Sequence, residues 1–267
     1  MIWARKHINN IRLLFTRAQA LPDPFVPAFL QAGGTLYALP TLNITPIHAR
    51  STLDEWLSHA QTRTVLVFVS RHAIAFIGPS LKKMSQWPNI PCICLGPGSK
   101  QALMKHGIAE TAIISPLSPP YETESLLAHP FFADPNTKNK HFWILRGPPG
   151  RTLLQDTLKS QGTTVEEIAL YNRRLATLTP LLHNQWETAL ANQNVTLVSS
   201  LEGLQNLMTR VDQLGNKHLK TRLLKQPLLL PGARVTQLAK SHGFRYITET
   251  GSLETQSLLD ALKALFP

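Results

Sequence analysis

Two serines stand where an apolar run typical of a strand gives way to a run typical of a helix. Ser70 follows Val65–Val69, and Ser200 follows Val195–Val198 and Ser199. A serine in this place can attack a substrate, bind an anion or cap the helix. Neither has the Gly-x-Ser-x-Gly turn that exposes a hydrolase nucleophile, and nothing in the sequence places a histidine and a carboxylate beside it. Helix capping and anion binding therefore stay open for both serines.

The two cysteines, Cys92 and Cys94, suggest metal chemistry. Two thiolates in a Cys-Ile-Cys sequence are too few ligands for a zinc site, and we expect them to point to opposite faces of a buried strand. A chain with so few cysteines has no disulfide framework. We therefore predict no metal site and a reducing, cytoplasmic environment.

A repeated spacing indicates which elements position these residues. The segments Gly96–Gly107 and Gly232–Gly243 each span 11 positions (107 − 96 and 243 − 232). The segments Arg17–Gly33 and Arg146–Gly162 each span 16 positions (33 − 17 and 162 − 146). Each segment begins after an apolar run and closes with a helix-like stretch. The repeat predicts two α/β lobes with a ligand between them, at the carboxyl ends of their strands.

The order of the segments predicts how the chain builds these lobes. Residues 11–39 hold a strand-helix-strand piece that is too short for a whole sheet, and its repeat partner is 141–171. One lobe must therefore come from both ends of the chain. We predict a discontinuous lobe of residues 1–40 and 172–267 and a continuous lobe of residues 41–171. Both are expected to be doubly wound parallel sheets, with a hinge and a cleft at the two chain crossings.

The charge of the chain limits its partners. Its 267 residues include 27 basic and 16 acidic ones, a formal net charge of +11, which favours nucleic acid, anionic lipid or a small polyanion. The densest basic groups, Lys217–Lys225 and Lys138–His141, lie near expected loops, and they do not form the basic, aromatic-rich face of a nucleic-acid module. The first 15 residues do not form a signal peptide, and no apolar run is long enough to cross a bilayer. We expect no nucleic-acid partner and no membrane association.

The turns of both halves, taken in order, resemble the uroporphyrinogen-III synthase family from about residue 11 onward. Each motif is common in α/β proteins, whereas their order and spacing are specific. The resemblance rests on Thr16-Arg17, Phe68-Val69-Ser70 with Ala73-Ile74, Gly96-x-x-Ser99 with Gly107, Leu145-Arg146-Gly147 with Gly150-Arg151, Leu158 with Gly162, Ala169-Leu170-Tyr171, Val198-Ser199-Ser200-x-Glu202-Gly203-Leu204, and Gly232-x-Arg234 with Ala239 and Gly243-Phe244.

The resemblance implies a fold and a reaction. The fold is two flavodoxin-like lobes joined by a two-stranded crossover. The reaction closes hydroxymethylbilane, a linear tetrapyrrole with eight carboxylates, by loss of its hydroxyl and inversion of the last pyrrole through a spiro intermediate. The family uses no metal or organic cofactor. We expect a monomer that takes its substrate by hand-over from hydroxymethylbilane synthase.

The resemblance also implies the residues of the site. Tyr171 stands where the family has a notable tyrosine and is the candidate acid for the departing hydroxyl, because such a proton transfer contributes about 10²–10⁴-fold to the rate. A packed tyrosine with no catalytic role is the alternative. The candidate substrate-binding residues, whose alternatives are helix caps and ion pairs, are Arg17, Ser70, Ser99, Arg146, Gly147, Arg151, Ser200 and Arg234.

Three positions depart from the family pattern. Ser99 stands where the family often has threonine, and Arg71-His72 replaces a turn that often contains proline. Arg234-Val235 replaces a turn that carries a hydroxyl in some members, which puts a hydroxyl contact there in doubt. Two other functions stay open: a non-catalytic two-lobe protein that binds a small polyanion, and a basic protein that binds nucleic acid.

Overall fold

The computed structural model describes residues 8–18, 21–84, 89–118, 121–148 and 150–266, apart from the side chain of Arg50. Residues 1–7, which begin the predicted discontinuous lobe, lie outside this range. The chain divides into two compact units. The first combines the residues up to Asn43 with those from Arg174 onward, and the second is Ile44–Arg173. The boundaries predicted at residues 40 and 171 lie close to these. The division into these two lobes as separate domains stays a prediction.

The described chain alternates strands and helices, as βαβ units require. The strands are β1 (Arg12–Phe15), β2 (Thr35–Ala38), β3 (Leu42–Pro46), β4 (Thr64–Phe68), β5 (Cys92–Cys94), β6 (Ile113–Ile114), β7 (His141–Arg146), β8 (Thr164–Ala169), β9 (Tyr171–Leu175), β10 (Val195–Leu197), β11 (Leu228–Leu230) and β12 (Ile247–Glu249). The helices are α1 (Phe25–Gln31), α2 (Arg50–Ser58), α3 (Arg71–Leu81), α4 (Pro97–Lys105), α5 (Thr123–Leu127), α6 (Leu153–Ser160), α7 (Pro180–Asn192), α8 (Leu201–Gln213), α9 (Lys217–Leu224), α10 (Ala233–Ser241) and α11 (Thr255–Leu265).

Each of the two units contains a five-stranded parallel sheet. The sheet of the first unit runs β12-β11-β10-β1-β2, and that of the second runs β6-β5-β4-β7-β8. All pairs with a described register are parallel. In the first unit this is the doubly wound order 2-1-3-4-5 of the flavodoxin-like fold. In the second unit β7 and β8 take the places of β1 and β2, and β4, β5 and β6 take the places of β10, β11 and β12. The arrangement in space is thus alike, but the strands follow one another in a different order along the chain. The predicted fold class of two parallel-sheet α/β lobes is thereby confirmed.

A separate two-stranded sheet of β3 and β9 carries the chain from one unit to the other. The boundary after Asn43 falls within β3, and the boundary after Arg173 falls within β9. This sheet corresponds to the crossover that the family resemblance implies. Tyr171 is the first residue of β9, so the candidate acid starts the second crossing.

Each sheet has an apolar layer on both faces, which explains why its central strands read as continuous apolar runs. In the second unit every residue of β4 is buried. Leu66 and Phe68 enter one core cluster, whereas Val65 and Val67 enter the other. Layers of the same kind cover both faces of the first unit's sheet. These cores make the strands rigid supports for the turns that follow them.

The expectation that Cys92 and Cys94 face opposite sides of a strand was wrong. Residues two apart on a strand share a face, and both cysteines enter the same core cluster. They are free thiols, and burial raises the pKa of Cys94 to about 12 and that of Cys92 further still. Neither thiol is therefore prepared to act as a nucleophile.

The glycine repeat corresponds to matched turns in the two units. Gly96 and Gly232 cap the starts of α4 and α10. Gly107 and Gly243 follow the ends of those helices with φ of +91° and +92°, a conformation that favours glycine. Of the two basic groups predicted near loops, Lys217–Lys225 is mostly α9, which Asn216 caps and which lies between turns at 214–216 and 225–227. No helix of the described chain is long and apolar enough to span a membrane.

Candidate active site

A cleft of about 320 Å³ opens at the carboxyl ends of β4 and β7 in the second unit. This is the expected position for a ligand site in a doubly wound sheet, and its volume lies at the small end of ligand-binding clefts. Its lining combines apolar side chains from the strand ends with hydroxyl, carboxyl and guanidinium groups. The polar residues among them are Ser70, Tyr121, Glu122, Thr123, Arg146, Arg151, Gln155, Tyr171 and Arg173.

Tyr171 and Ser70 are joined by a hydrogen bond inside this cleft. The Tyr171 hydroxyl oxygen lies 2.8 Å from Ser70 Oγ, although the two residues are 101 positions apart in the sequence. Tyr171 is only 3% exposed. Ser70 is the N-cap of α3, and its Oγ accepts a hydrogen bond from the Ala73 amide at 3.2 Å. The tyrosine hydroxyl is therefore held at the amino end of a helix.

The ring of Tyr171 packs between α3 and the turn after β7. Its centroid lies 5.5 Å from that of Phe76 and 6.0 Å from that of His72, both on α3. On the β7 side Gly147 lies so close that a β-carbon there would stand 2.2 Å from a Tyr171 ring carbon. Only glycine fits this position without displacing the ring. Gly147, a predicted substrate-binding residue, thus has a structural reason for being glycine.

Arg146, the last residue of β7, has its guanidinium bound within the protein. It is 6% exposed, donates to the Arg151 carbonyl at 2.8 Å, and forms an ion pair with Glu167. Gly150 closes the turn over it, since a β-carbon there would lie 2.8 Å from Arg146 Nη1. The guanidinium thus connects the end of β7 to Gly150 and Arg151. A substrate carboxylate would have to displace Glu167 to bind it.

Arg151 sits at a more open edge of the cleft. It pairs with Glu124 at 2.5 Å, and their side chains are 48% and 53% exposed. An exposed ion pair of this kind contributes about 0–1 kcal/mol, because water and salt compete with it. A substrate carboxylate can exchange with Glu124, so Arg151 is better placed than Arg146 to bind an anion.

The sequence reasoning missed several residues of the cleft. Arg173 lies two positions after Tyr171 on β9, and the alternation of side chains along a strand is the signal that could have found it. Glu124 and Glu167, the partners of the two arginines, come from α5 and β8. No spacing in the sequence connects them to those arginines.

Four predicted residues do not line this cleft. Ser99 lies within α4 of the second unit, and the other three belong to the first unit. Arg17 follows β1 and pairs with Asp23 at 2.8 Å. Ser200 caps α8 by accepting from the Gly203 amide at 3.0 Å, and Arg234 is exposed in the first turn of α10. Arg17 and Ser200 occupy the places in the first unit that Arg146 and Ser70 occupy in the second.

The described residues contain no group of three or more histidine, cysteine, aspartate or glutamate side chains that could hold a metal ion. The polar groups that line the cleft are hydroxyl, carboxyl, amide and guanidinium groups. Together they can bind carboxylates and give or take a proton at the Tyr171–Ser70 pair.

Comparison with known proteins gives a consistent result. The sequence model of a family described as uroporphyrinogen-III synthase HemD matches residues 23–260. The chain is 27% identical to the uroporphyrinogen-III synthase of Escherichia coli (strain K12) over 256 residues, which cover 94% of this chain and 99% of that protein. It is also 27% identical to the enzyme of the same name from Salmonella typhimurium over 253 residues, with the same coverage.

Solved structures show the same fold. The crystal structure of uroporphyrinogen-III synthetase from Helicobacter pylori has a TM-score of 0.57 at 15% identity, and the match covers 95% of this chain and 99% of that one. A mutant uroporphyrinogen III synthase from Thermus thermophilus has a TM-score of 0.57 at 16% identity, with 96% and 98% covered. Identities this low are evidence for the two-lobe fold and not for individual site residues.

Proposed function

Because this chain belongs to the uroporphyrinogen-III synthase family, whose enzymes act in tetrapyrrole biosynthesis, we propose that it closes hydroxymethylbilane to uroporphyrinogen III. The reaction is a lyase reaction that releases water. We propose Tyr171 as its acid. The observation that supports this role is the Tyr171 hydroxyl, held by Ser70 in a cleft at the ends of β4 and β7.

The chemistry needs a proton where the substrate loses its hydroxyl. The bond between the terminal carbon and oxygen breaks, and both electrons leave with the oxygen. The Tyr171 proton joins that oxygen to form water, which leaves a cationic azafulvene and a tyrosinate. Attack by the last pyrrole forms the spiro intermediate, and its rearrangement and closure release a proton from a pyrrole carbon. That proton restores Tyr171, so the net loss is one water.

The second task of the enzyme is to hold a flexible substrate in one curled conformation. Such positioning can lower a barrier by about 7–11 kcal/mol. The amide groups at the start of α3 attract an anion, and Arg151 and Arg173 at the cleft can pair with carboxylates. A cleft of about 320 Å³ is too small for four substituted pyrroles. We propose that it holds the end of the substrate that carries the hydroxyl.

The remaining predicted binding residues keep that role as proposals. Ser200 and Arg234 lie at the starts of α8 and α10, where backbone amides attract anions as they do at α3. Ser99 lies in the first turn of α4, and Arg17 follows β1. For Arg146 and Gly147 the contacts favour a positioning role instead, because Arg146 holds the Arg151 carbonyl and Gly147 makes room for the Tyr171 ring.

We propose that the enzyme works as a cytoplasmic monomer, takes hydroxymethylbilane directly from the synthase that makes it, and needs no cofactor, membrane or nucleic acid. The instability of the substrate favours hand-over, since free hydroxymethylbilane closes spontaneously to the uninverted isomer. The buried free thiols suit a reducing compartment. Light scattering of the protein alone tests whether it is a monomer. Light scattering after addition of the synthase tests whether the two enzymes form the complex that direct hand-over needs.

The experiment that tests the function supplies purified protein with freshly generated hydroxymethylbilane. The products are oxidised, and the type I and type III uroporphyrin isomers are separated by chromatography. We expect an excess of type III over a control without protein. Only type I from demonstrably folded protein would overturn the proposal and leave a non-catalytic polyanion-binding protein as the better account.

A further inference from the structure

The hydroxyl of Ser70 contacts two groups that both matter for Tyr171. Its Oγ lies 3.2 Å from the Ala73 amide nitrogen and 2.8 Å from the Tyr171 hydroxyl oxygen. The amide can only donate, so one acceptor position of Oγ is already filled. The serine still has its own hydrogen to give. Ser70 is thus a helix cap on one side and a partner of the candidate acid on the other.

We propose that Ser70 is a positioning residue that directs the Tyr171 proton towards the substrate and stabilises the tyrosinate that forms, an inference that rests on the proposed function. When Ser70 donates to the Tyr171 oxygen, the tyrosine hydrogen cannot point at Ser70 and is available in the cleft. The opposite arrangement would direct that hydrogen to Ser70 and away from the substrate. The contact with the Ala73 amide favours the first arrangement, because a hydroxyl that already accepts one hydrogen bond becomes a better donor.

The same contact acts after the proton has left. The tyrosinate oxygen keeps a hydrogen bond from Ser70, and a bond to a charged acceptor is about twice as strong as one between neutral groups. The amino end of α3, an 11-residue helix, adds a positive potential at this point. No additional charged residue is needed, because Ser70 connects the tyrosine to the helix end.

Packing fixes the ring of Tyr171, so that only the hydrogen bonding of its hydroxyl can change. Gly147 approaches one side of the Tyr171 ring, and Phe76 and His72 contact it from α3. A ring held on both sides cannot move to find a new partner for its oxygen. Removal of the Ser70 hydroxyl should therefore affect proton transfer and leave the position of the ring unchanged.

The test compares Ser70→Gly, Ser70→Ala and Ser70→Thr in the isomer assay. Glycine keeps most of the capping preference and removes the hydroxyl, whereas threonine keeps both. We expect Ser70→Gly and Ser70→Ala to lower kcat by about 10–100-fold with KM changed by less than about twofold. Ser70→Thr should restore most of kcat. Combined with Tyr171→Phe, the loss of the serine hydroxyl should lower kcat no further, because the group that it serves is already absent.

Asn216→Ala is the matched control. Asn216 caps α9 through a 3.2 Å bond from the Leu219 amide, the same length as the Ser70 cap, in the other unit. It should lose stability as Ser70→Ala does and keep the wild-type kcat.

Three results would overturn the inference. A rise in KM with unchanged kcat would make Ser70 a binding residue. If Ser70→Gly lowered kcat by the same factor in the wild-type protein and in Tyr171→Phe, the two side chains would act independently of each other. Failure of Ser70→Thr to restore kcat would show that the hydroxyl is not what matters. If the wild-type protein forms no type III isomer, the proposed function itself fails, and the serine variants are not needed to show it.

Discussion

Gly147 packs directly against the ring of Tyr171, which occupies the space that a side chain at position 147 would need. A β-carbon on Gly147 would stand 2.2 Å, 2.5 Å and 2.8 Å from three carbons of the ring. The ring cannot retreat freely, because Phe76 contacts it from α3. The position of the Tyr171 hydroxyl therefore depends on the absence of a side chain in the turn after β7.

Gly147→Ala should accordingly displace the Tyr171 ring. We expect a loss of about 1–3 kcal/mol in the free energy of unfolding, the usual cost of overpacking, and a fall in kcat larger than the change in KM. Urea denaturation and the isomer assay measure the two effects. Gly98→Ala, also in the second unit, is the control. A β-carbon there would lie 3.4 Å from its nearest neighbour, which is an ordinary contact. Wild-type kcat in Gly147→Ala would show that the ring position does not matter.

Tyr171→Phe keeps the ring and removes the proton. If Tyr171 is the acid, we expect kcat to fall by about 10²–10⁴-fold, with KM close to the wild-type value, because an interaction that acts in the transition state alone is lost. Initial rates over a range of freshly generated hydroxymethylbilane concentrations measure both. Tyr246→Phe, at a tyrosine that is 60% exposed, is the control and should change neither. Unchanged turnover in Tyr171→Phe would remove the acid role.

The fold could be predicted because its signals are local. The helix-ending glycines Gly107 and Gly243 adopt positive φ, which few other residues tolerate, so their spacing survives in the sequence. Strand ends could be predicted for the same reason, since apolar runs buried on both faces stop at a polar residue such as Ser70.

The contacts of the site could not be predicted in the same way. Ser70 and Tyr171 meet across 101 positions of sequence. Glu167 reaches Arg146 because β7 and β8 pair with Arg146 opposite Ala169, which places Glu167 on a diagonal of the same face. Such register depends on the packed sheet and not on any local pattern. The sequence therefore predicts Arg146 as a binding residue, although its guanidinium already has a carboxylate partner.

Arg146→Ala separates these two interpretations of Arg146. The guanidinium is buried and paired with Glu167, which is partly exposed, so we expect a loss of about 2–4 kcal/mol in the free energy of unfolding, somewhat below the cost of breaking a fully buried pair. Arg146→Ala combined with Glu167→Ala should recover part of this loss, because no carboxylate is then left unpaired. Urea denaturation of the three proteins measures it. A higher KM with unchanged stability would instead make Arg146 a substrate-binding residue.

His106 should make the stability of the protein depend on pH. Its ring lies against α3, since a β-carbon on Gly78 would stand 2.5 Å from the ring, and burial together with nearby Lys82 lowers its pKa below the usual 6.5. The unfolded chain therefore binds a proton near pH 6.5 that the folded protein takes up only at lower pH. The free energy of unfolding should fall as the pH drops through this window and level off below the folded pKa.

His106→Gln removes this contribution and keeps a polar side chain of similar reach. Urea denaturation of both proteins at several pH values between about 7.5 and 5 isolates the effect, because all other titrating groups are common to the two and cancel in the difference. The difference at pH 7.5, where the histidine is neutral in both states, reports packing alone. We expect the wild-type protein to lose more stability than the variant as the pH falls. Parallel curves for the two proteins would show that His106 titrates alike in the folded and unfolded chains.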